Sequence, residues 1–424
     1  MTKSKWFIRL ALIAALAMVA AACAQEGDGG TTTDECPDTE FGCVEVGADD
    51  PVKIGTLLVI SGSDASLGLD SQHGVEIAAD FRENTVADHA IEFVHQDDGC
   101  SAEGGQAGAQ ALAADPQIVA VIGTSCSSSA LGVADRILGD QGILLVSPSN
   151  TSPALTDAAQ HNPFYARTAH NDKIQGAVVA DFAYNEAGAK SAATIHDGSP
   201  YAEGLQQAFA DVFQQFGGSI TTQEAVQVGD TDFKPLLTSI AADKPDFLYY
   251  PIFVAEGGLI TQQARETAGL EGTALAGSDG MFTPDWIEAA GAENAEDVFI
   301  SGPDLTAFSG GDFYQNEFLP AYEEKFGETT SVFHAHSFDA TNMVLDAIDE
   351  VAIATDDGGL LIPRSQLRDA LFGISGFEGI TGTLACNENG DCQPSATIAI
   401  HQVHDGDFGD PVYSKAFSLE EVGA

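Results

Sequence analysis

Short apolar runs alternate with amphipathic stretches along most of the chain. Val52–Ile60, Ile91–His95, Ile118–Ile122 and Ile143–Val146 are rich in β-branched residues and too short for helices. They read as strands buried on both faces of a parallel sheet. Helix-period segments separate them. Val75, Ala78 and Ala79 fall at i, i+3, i+4, Ala107–Ala114 ends at Asp115-Pro116, and Leu131, Ala134 and Leu138 share one face. Strands alternating with helices predict a doubly wound α/β layer. The rhythm restarts with a helix at Asn171 and continues through strands at Ser191–His196, Asp246–Phe253, Thr273–Ala276 and Asp297–Ser301. Later come helices at Asp312–Phe326, Phe338–Ala354 and Pro363–Phe372. A short strand, Phe377–Leu384, and an edge strand, Ala396–Val403, close the pattern.

Two of the strands break into hydroxyl-rich turns. Ile118–Ile122 leads through Gly123 to Ser127, Ser128 and Ser129. Ile143–Val146 leads to Ser147-Pro-Ser149-Asn-Thr151-Ser-Pro153. Ligands in open α/β sheets sit beyond the carboxyl ends of the strands. Hydroxyls and free N–H groups at helix starts make an anion cradle there. Serines before helices also serve simply as N-caps. Two such turns together favour a site for a small carboxylate-bearing ligand.

A chain of 424 residues is large for one core, so two lobes are expected. Sixteen basic against 64 acidic residues give a net charge of −48. Such a surface repels nucleic acid and anionic headgroups, and its spread along the chain reads as solvation. Residues 1–22 have the form of a signal peptide: Lys3, Lys5 and Arg9, then the apolar Leu10–Ala22. Met18-Val-Ala-Ala-Ala-Cys23 resembles the bacterial lipobox, in which the cysteine carries diacylglycerol. That predicts anchoring through Cys23 at the outer face of the membrane or in the periplasm. No other run reaches membrane-spanning length. Residues 23–50, poor in apolar side chains, read as a flexible tether. Six further cysteines allow 15 pairings. Proximity favours Cys36–Cys43 and Cys386–Cys392, leaving Cys100–Cys126, in a compartment that permits disulfides.

Val52-Lys-Ile-Gly…Ser61-Gly, Asp97-Asp98-Gly-Cys100, Val121-Ile-Gly…Cys126-Ser127, Ser147-Pro-Ser-Asn-Thr151, Asp230-Thr-Asp-Phe233 and Gly277-Ser-Asp279-Gly280 recur as an ordered set. The set resembles the leucine/isoleucine/valine-binding protein family, the substrate-binding subunits of branched-chain amino-acid ABC importers. The resemblance covers about Val52 to Asp407. It implies a type I periplasmic-binding fold, two doubly wound parallel-sheet lobes with a cleft between them. Lobe 1 would be 51–169 and 303–382, and lobe 2 would be 170–302 and 383–424. It also implies that Ser127, Ser149 and Thr151 meet the ligand's α-carboxylate, with the Ser149–Thr151 turn also reaching the ammonium. Tyr201 would be the lobe 2 aromatic, Phe253 a cleft wall and Asp279 the partner of the ammonium. Leu67 stands where many relatives have an aromatic, and Asp279 is shorter than the Glu of leucine binders. An amino acid or related small carboxylate is therefore implied, not leucine specifically.

The expected role is a lipid-anchored monomer that hands its solute to an ABC permease; presentation to a receptor is the alternative. No cofactor, metal or catalytic residue is expected. Gly123-Thr-Ser-Cys-Ser127 lacks the final glycine of a nucleophile elbow, and adjacent His196-Asp197 gives no triad. His334-Ala-His336 could chelate a metal but reads as ordinary surface or core histidines.

Overall fold

The computed structural model describes residues 35–308 and 310–423. The signal segment, Cys23 and the first part of the tether lie outside the described residues. Six strands form a first sheet in the order Thr85–Val86, His89–Asp97, Val52–Leu58, Ile118–Gly123, Leu144–Ser147, Tyr165–Arg167. Every neighbouring pair is parallel except the first. Ile118–Gly123 is buried along its whole length, as a strand covered on both faces must be. The helix expected around Leu131 is interrupted: Leu131 has ψ 112° and Gly132 has φ +70°, a left-handed geometry that glycine accommodates. A separate short helix, Asp135–Gly139, follows.

The second sheet has seven strands, in the order Pro411–Ser418, Ser395–Gln402, Phe299–Pro303, Ala274–Gly277, Phe247–Tyr249, Ser191–His196, Ser219–Ala225. The first two pairings are antiparallel and the rest parallel. Ser395–Gln402 is therefore not the edge strand expected from its alternation. It is paired on both sides, and Pro411–Ser418 forms the edge.

The chain leaves the first sheet after Arg167 and enters the second through helix Asp172–Asp181. It leaves the second after Pro303 and returns to pack helix His334–Val351 on helix Ala65–Asp80. Gly74 permits that packing, since a Cβ there would fall 2.2 Å from the His334 carbonyl oxygen. The buried Asp70 ties the two helices together, accepting from the His334 amide at 3.0 Å and from Tyr322 Oη at 3.0 Å. The single strand expected at Phe377–Leu384 is a hairpin, Ser375–Glu378 with Thr383–Ala385. The Cys392 amide donates to the Arg167 carbonyl, so residues 383–393 stay with the first sheet. The chain passes to the second sheet only at Ser395, not at the expected 382/383 division. The tether is ordered at its end: Cys43–Val46 pairs antiparallel with Leu360–Pro363.

Candidate functional site

The site begins where two strands of the first sheet end. A disulfide between Cys100 and Cys126 joins the turns after His89–Asp97 and Ile118–Gly123. The other two bridges are Cys36–Cys43 and Cys386–Cys392. Asp98 lies under the first bridge and accepts from the amides of Ser125 (2.6 Å) and Cys100 (2.8 Å). Burial pushes its carboxyl up to about 7. These bonds fix the turn that presents Ser127.

The second hydroxyl turn lies directly against the first. Ser147 Oγ and Asn150 Nδ2 both donate to the Thr124 carbonyl, at 2.8 and 2.9 Å. Ser149 Oγ donates to the Ser125 carbonyl at 3.0 Å, and Ser127 Oγ accepts from the Ser152 amide at 3.3 Å. Arg167, fully buried, underpins this turn. Its guanidinium donates to the Asn150 carbonyl (3.1 Å), the Ser152 carbonyl (2.8 Å), Thr156 Oγ1 (2.7 Å) and the Asp391 carboxylate (2.5 Å). Five donors in a planar fork suit such a task.

Across from these turns, the second sheet contributes Tyr201 and Asp279. Ser199 caps helix Pro200–Gln215 and sets Tyr201 at its start. Tyr201 Oη lies 2.6 Å from Ser278 Oγ and 2.9 Å from Asp279 Oδ1. Gln175 Nε2 also donates to Asp279 Oδ1, at 2.7 Å. Burial raises the Asp279 carboxyl to about 6. Phe253 packs on Tyr201 with ring centroids 5.2 Å apart.

One acid in this cluster was not singled out from the sequence. Asp172 begins its helix just after the capping Asn171, so it reads as an ordinary first-turn acid. Its amide donates to the Thr151 carbonyl at 2.9 Å. Both of its carboxylate oxygens are buried without a hydrogen-bond partner, as are Thr151 Oγ1 and Tyr249 Oη. Thr151 and Asp172 are neighbours whose side-chain geometry falls short of a hydrogen bond. Burial, then the negative charge of Asp279, holds the Asp172 carboxyl well above the usual carboxylate range. Buried polar groups without partners are costly, so their concentration at one place is informative.

The apolar wall was also only partly legible. Leu67 and Cys126 belong to the same buried cluster as Tyr201, Phe333 and the core of the second sheet, so the two halves meet there. Phe333 precedes helix His334–Val351 and carried no distinguishing sequence signal. Polar contacts also cross the seam. Asp64 Oδ1 accepts from the Val254 amide at 3.3 Å, Ser66 Oγ donates to the Asp285 carboxylate, and Ser152 Oγ donates to the Pro200 carbonyl at 2.9 Å. His334 and His336 are buried; His334 is held by Asp70 and Tyr314.

Two α/β lobes joined by three passages, with hydroxyl turns facing an acid and a tyrosine across the seam, define a two-lobed solute-binding protein. Residues 51–407 match the family described as periplasmic binding protein. The chain belongs to that family, in its leucine/isoleucine/valine-binding branch, and is a solute-binding protein, not an enzyme. It is 27% identical to the Leu/Ile/Val-binding protein homolog 3 of Brucella melitensis over 358 residues, 84% of this chain and 92% of that one. It is 31% identical to the Leu/Ile/Val-binding protein of Escherichia coli, over 59% of this chain and 67% of that one. A leucine binding protein from Thermotoga maritima superposes with a TM-score of 0.75 at 26% identity, covering 87% of this chain and 99% of its own.

Proposed function

We propose that the chain captures an amino acid or related small carboxylate in the cleft and delivers it to an ABC permease while tethered by lipid on Cys23. The observation that carries this reading is the single buried polar cluster built from Ser127, Ser149, Thr151, Asp172, Tyr201 and Asp279. A zwitterion needs donors for its carboxylate and acids for its ammonium. The Ser127 and Thr151 hydroxyls and the amides of the two turns supply the first, the Ser149 proton being already given to the Ser125 carbonyl, and Asp172 and Asp279 supply the second. Charge-assisted bonds contribute about 1.5–3 kcal/mol each, so four or five reach micromolar affinity after the cost of ordering and association. The names of the relatives support an amino-acid ligand, and the lipobox-like Met18–Cys23 segment supports the anchor. The lobes in this reading are 51–169 with 303–394, and 170–302 with 395–424.

Calorimetry with leucine and its amine-free counterpart 4-methylpentanoate tests the reading, with a thermal-shift screen of other amino acids and short carboxylates beside it. If nothing that carries a carboxylate binds, the reading fails. Mass spectrometry of the mature N-terminus tests the anchor, because a cysteine without diacylglycerol rules it out.

Thr151→Ala should weaken a carboxylate ligand by about 1–3 kcal/mol. Its hydroxyl has no other bond to lose, so unfolding should be little affected. Ser127→Ala should cost affinity too, and additionally loosen the Ser152 amide. Unchanged affinity in both variants would remove these hydroxyls from the site.

The pH dependence has a definite sign. An ammonium selects the ionised form of Asp279, whose carboxyl is raised to about 6. Affinity for a zwitterion should therefore fall as pH drops below 6, approaching about tenfold per unit. A titration that stays flat from pH 7.5 to 5 would contradict the assignment.

A further inference from the structure

The three passages between the sheets border a cavity of about 250 Å³. His170 lines it from the first passage, Asp304 from the second and Gln393 from the third. His336 adds to the wall, its ring edge-on to that of Phe308 with centroids 5.7 Å apart. The cavity reaches the surface beside the exposed Ala307 and Ser395. It shares no residue with the polar cluster of the cleft. His170 is fully buried, and its neighbours fix which ring nitrogen is bare. Gln175 Nε2 donates to Asp279 Oδ1 and, at 2.9 Å, to Ser301 Oγ, so the Gln175 oxygen faces His170. His170 Nε2 therefore carries the proton and donates to that oxygen at 2.6 Å. Burial brings the His170 imidazole down to about 4, so the ring is neutral and Nδ1 is a lone-pair acceptor. That Nδ1 is buried with no partner, and so is Gln393 Oε1.

Two stranded acceptors, one on the first passage and one on the third, call for a ligand that donates hydrogen bonds. Nothing in the wall calls for charge. No lysine or arginine lines the cavity. Asp304 Oδ1 already takes the Thr306 amide at 2.9 Å and the Thr306 hydroxyl at 2.6 Å, and its Oδ2 takes the Ser414 hydroxyl. Burial holds the His336 imidazole well below its usual range, so that ring is neutral too. The volume lies just under the roughly 300–1,000 Å³ of pockets for drug-sized ligands, which suits a smaller solute. We propose that the cavity is a second solute site, taking a small neutral polyol whose hydroxyls donate to His170 Nδ1 and Gln393 Oε1. The site is separate from the cleft, so it does not depend on the amino-acid reading above.

Ligand-observed NMR of the full chain with erythritol tests this site. Melting shifts would not, because polyols excluded from protein surfaces raise melting points generally. Erythritol should bind saturably and at least about tenfold more tightly than butan-1-ol, which keeps the carbon chain and one hydroxyl. Gln393→Leu removes one acceptor, and Ala307→Leu, an exposed change, narrows the mouth. Each should weaken erythritol by at least about threefold. Circular dichroism confirms that each variant is folded, and two variants guard against one that is not. Equal binding of butan-1-ol, binding that neither variant moves, or no saturable signal beyond that of an adventitious additive only, overturns the proposal. Displacement of erythritol by leucine would put it in the cleft and overturns the proposal as well. Loss of erythritol binding leaves the amino-acid reading standing, and failure of leucine to bind leaves this site standing.

Discussion

Arg167→Leu should lower stability by about 3–5 kcal/mol and abolish tight ligand binding. The size follows from what is left behind. Removing one partner of a buried ion pair strands the other charge, here that of Asp391. It also leaves two carbonyls of the second hydroxyl turn and the Thr156 hydroxyl without their donor. Arg167→Lys should be only partly tolerated, because one ammonium cannot reach four acceptors in a plane. Pairing Arg167→Leu with Asp391→Leu should recover part of the loss, since neither charge then remains unpaired. Urea unfolding measures each value; a change below 1 kcal/mol in the single variant would show that the pair does not hold the turn.

Asp279→Asn should weaken an amino acid by about 2–3 kcal/mol, roughly 30- to 150-fold, and hardly touch an amine-free carboxylate. The same variant should stabilise the ligand-free protein. Between the ordinary carboxyl value of 3.8 and about 6 the folded state holds more protons than the unfolded one. Stability therefore falls as pH rises through that window, and the charged carboxylate costs on the order of 2–3 kcal/mol at pH 7. Asparagine has no such cost and keeps an oxygen for Tyr201 and Gln175. Melting midpoints at pH 7 and pH 4.5 would reveal the gain at the higher pH and its reduction to about a third at the lower. Equal damage to amine-bearing and amine-free ligands would refute the ammonium role. Asp172→Asn should behave in the same direction.

Much of this architecture could be read in advance because it is written locally. Ile118–Ile122 and Ser191–His196 announce buried strands by composition and length alone. The serine turns follow them in sequence, and their chemistry is visible without coordinates. What escaped was set by partners far away in the chain. Cys43–Val46 is a strand only because Leu360–Pro363 lies beside it. Ser395–Gln402 alternates like an edge strand but is enclosed once Pro411–Ser418 joins it. Asp172 looks like any acid opening a helix. Its distinction is that Thr151 and Asp279 surround it, and no local pattern records that.

The three chain passages also bear on mechanics. A body joined to another at one point can swivel freely, whereas three passages held side by side, by the Arg167–Asp391 bridge and the Asp304 amide on the Thr397 carbonyl, restrict rotation towards a single axis. Opening then amounts to one angle, so a lone pair of spectroscopic labels set across the gap would capture the whole motion. On the proposed delivery to a permease, loading would by the same token be sensed as the value of that angle.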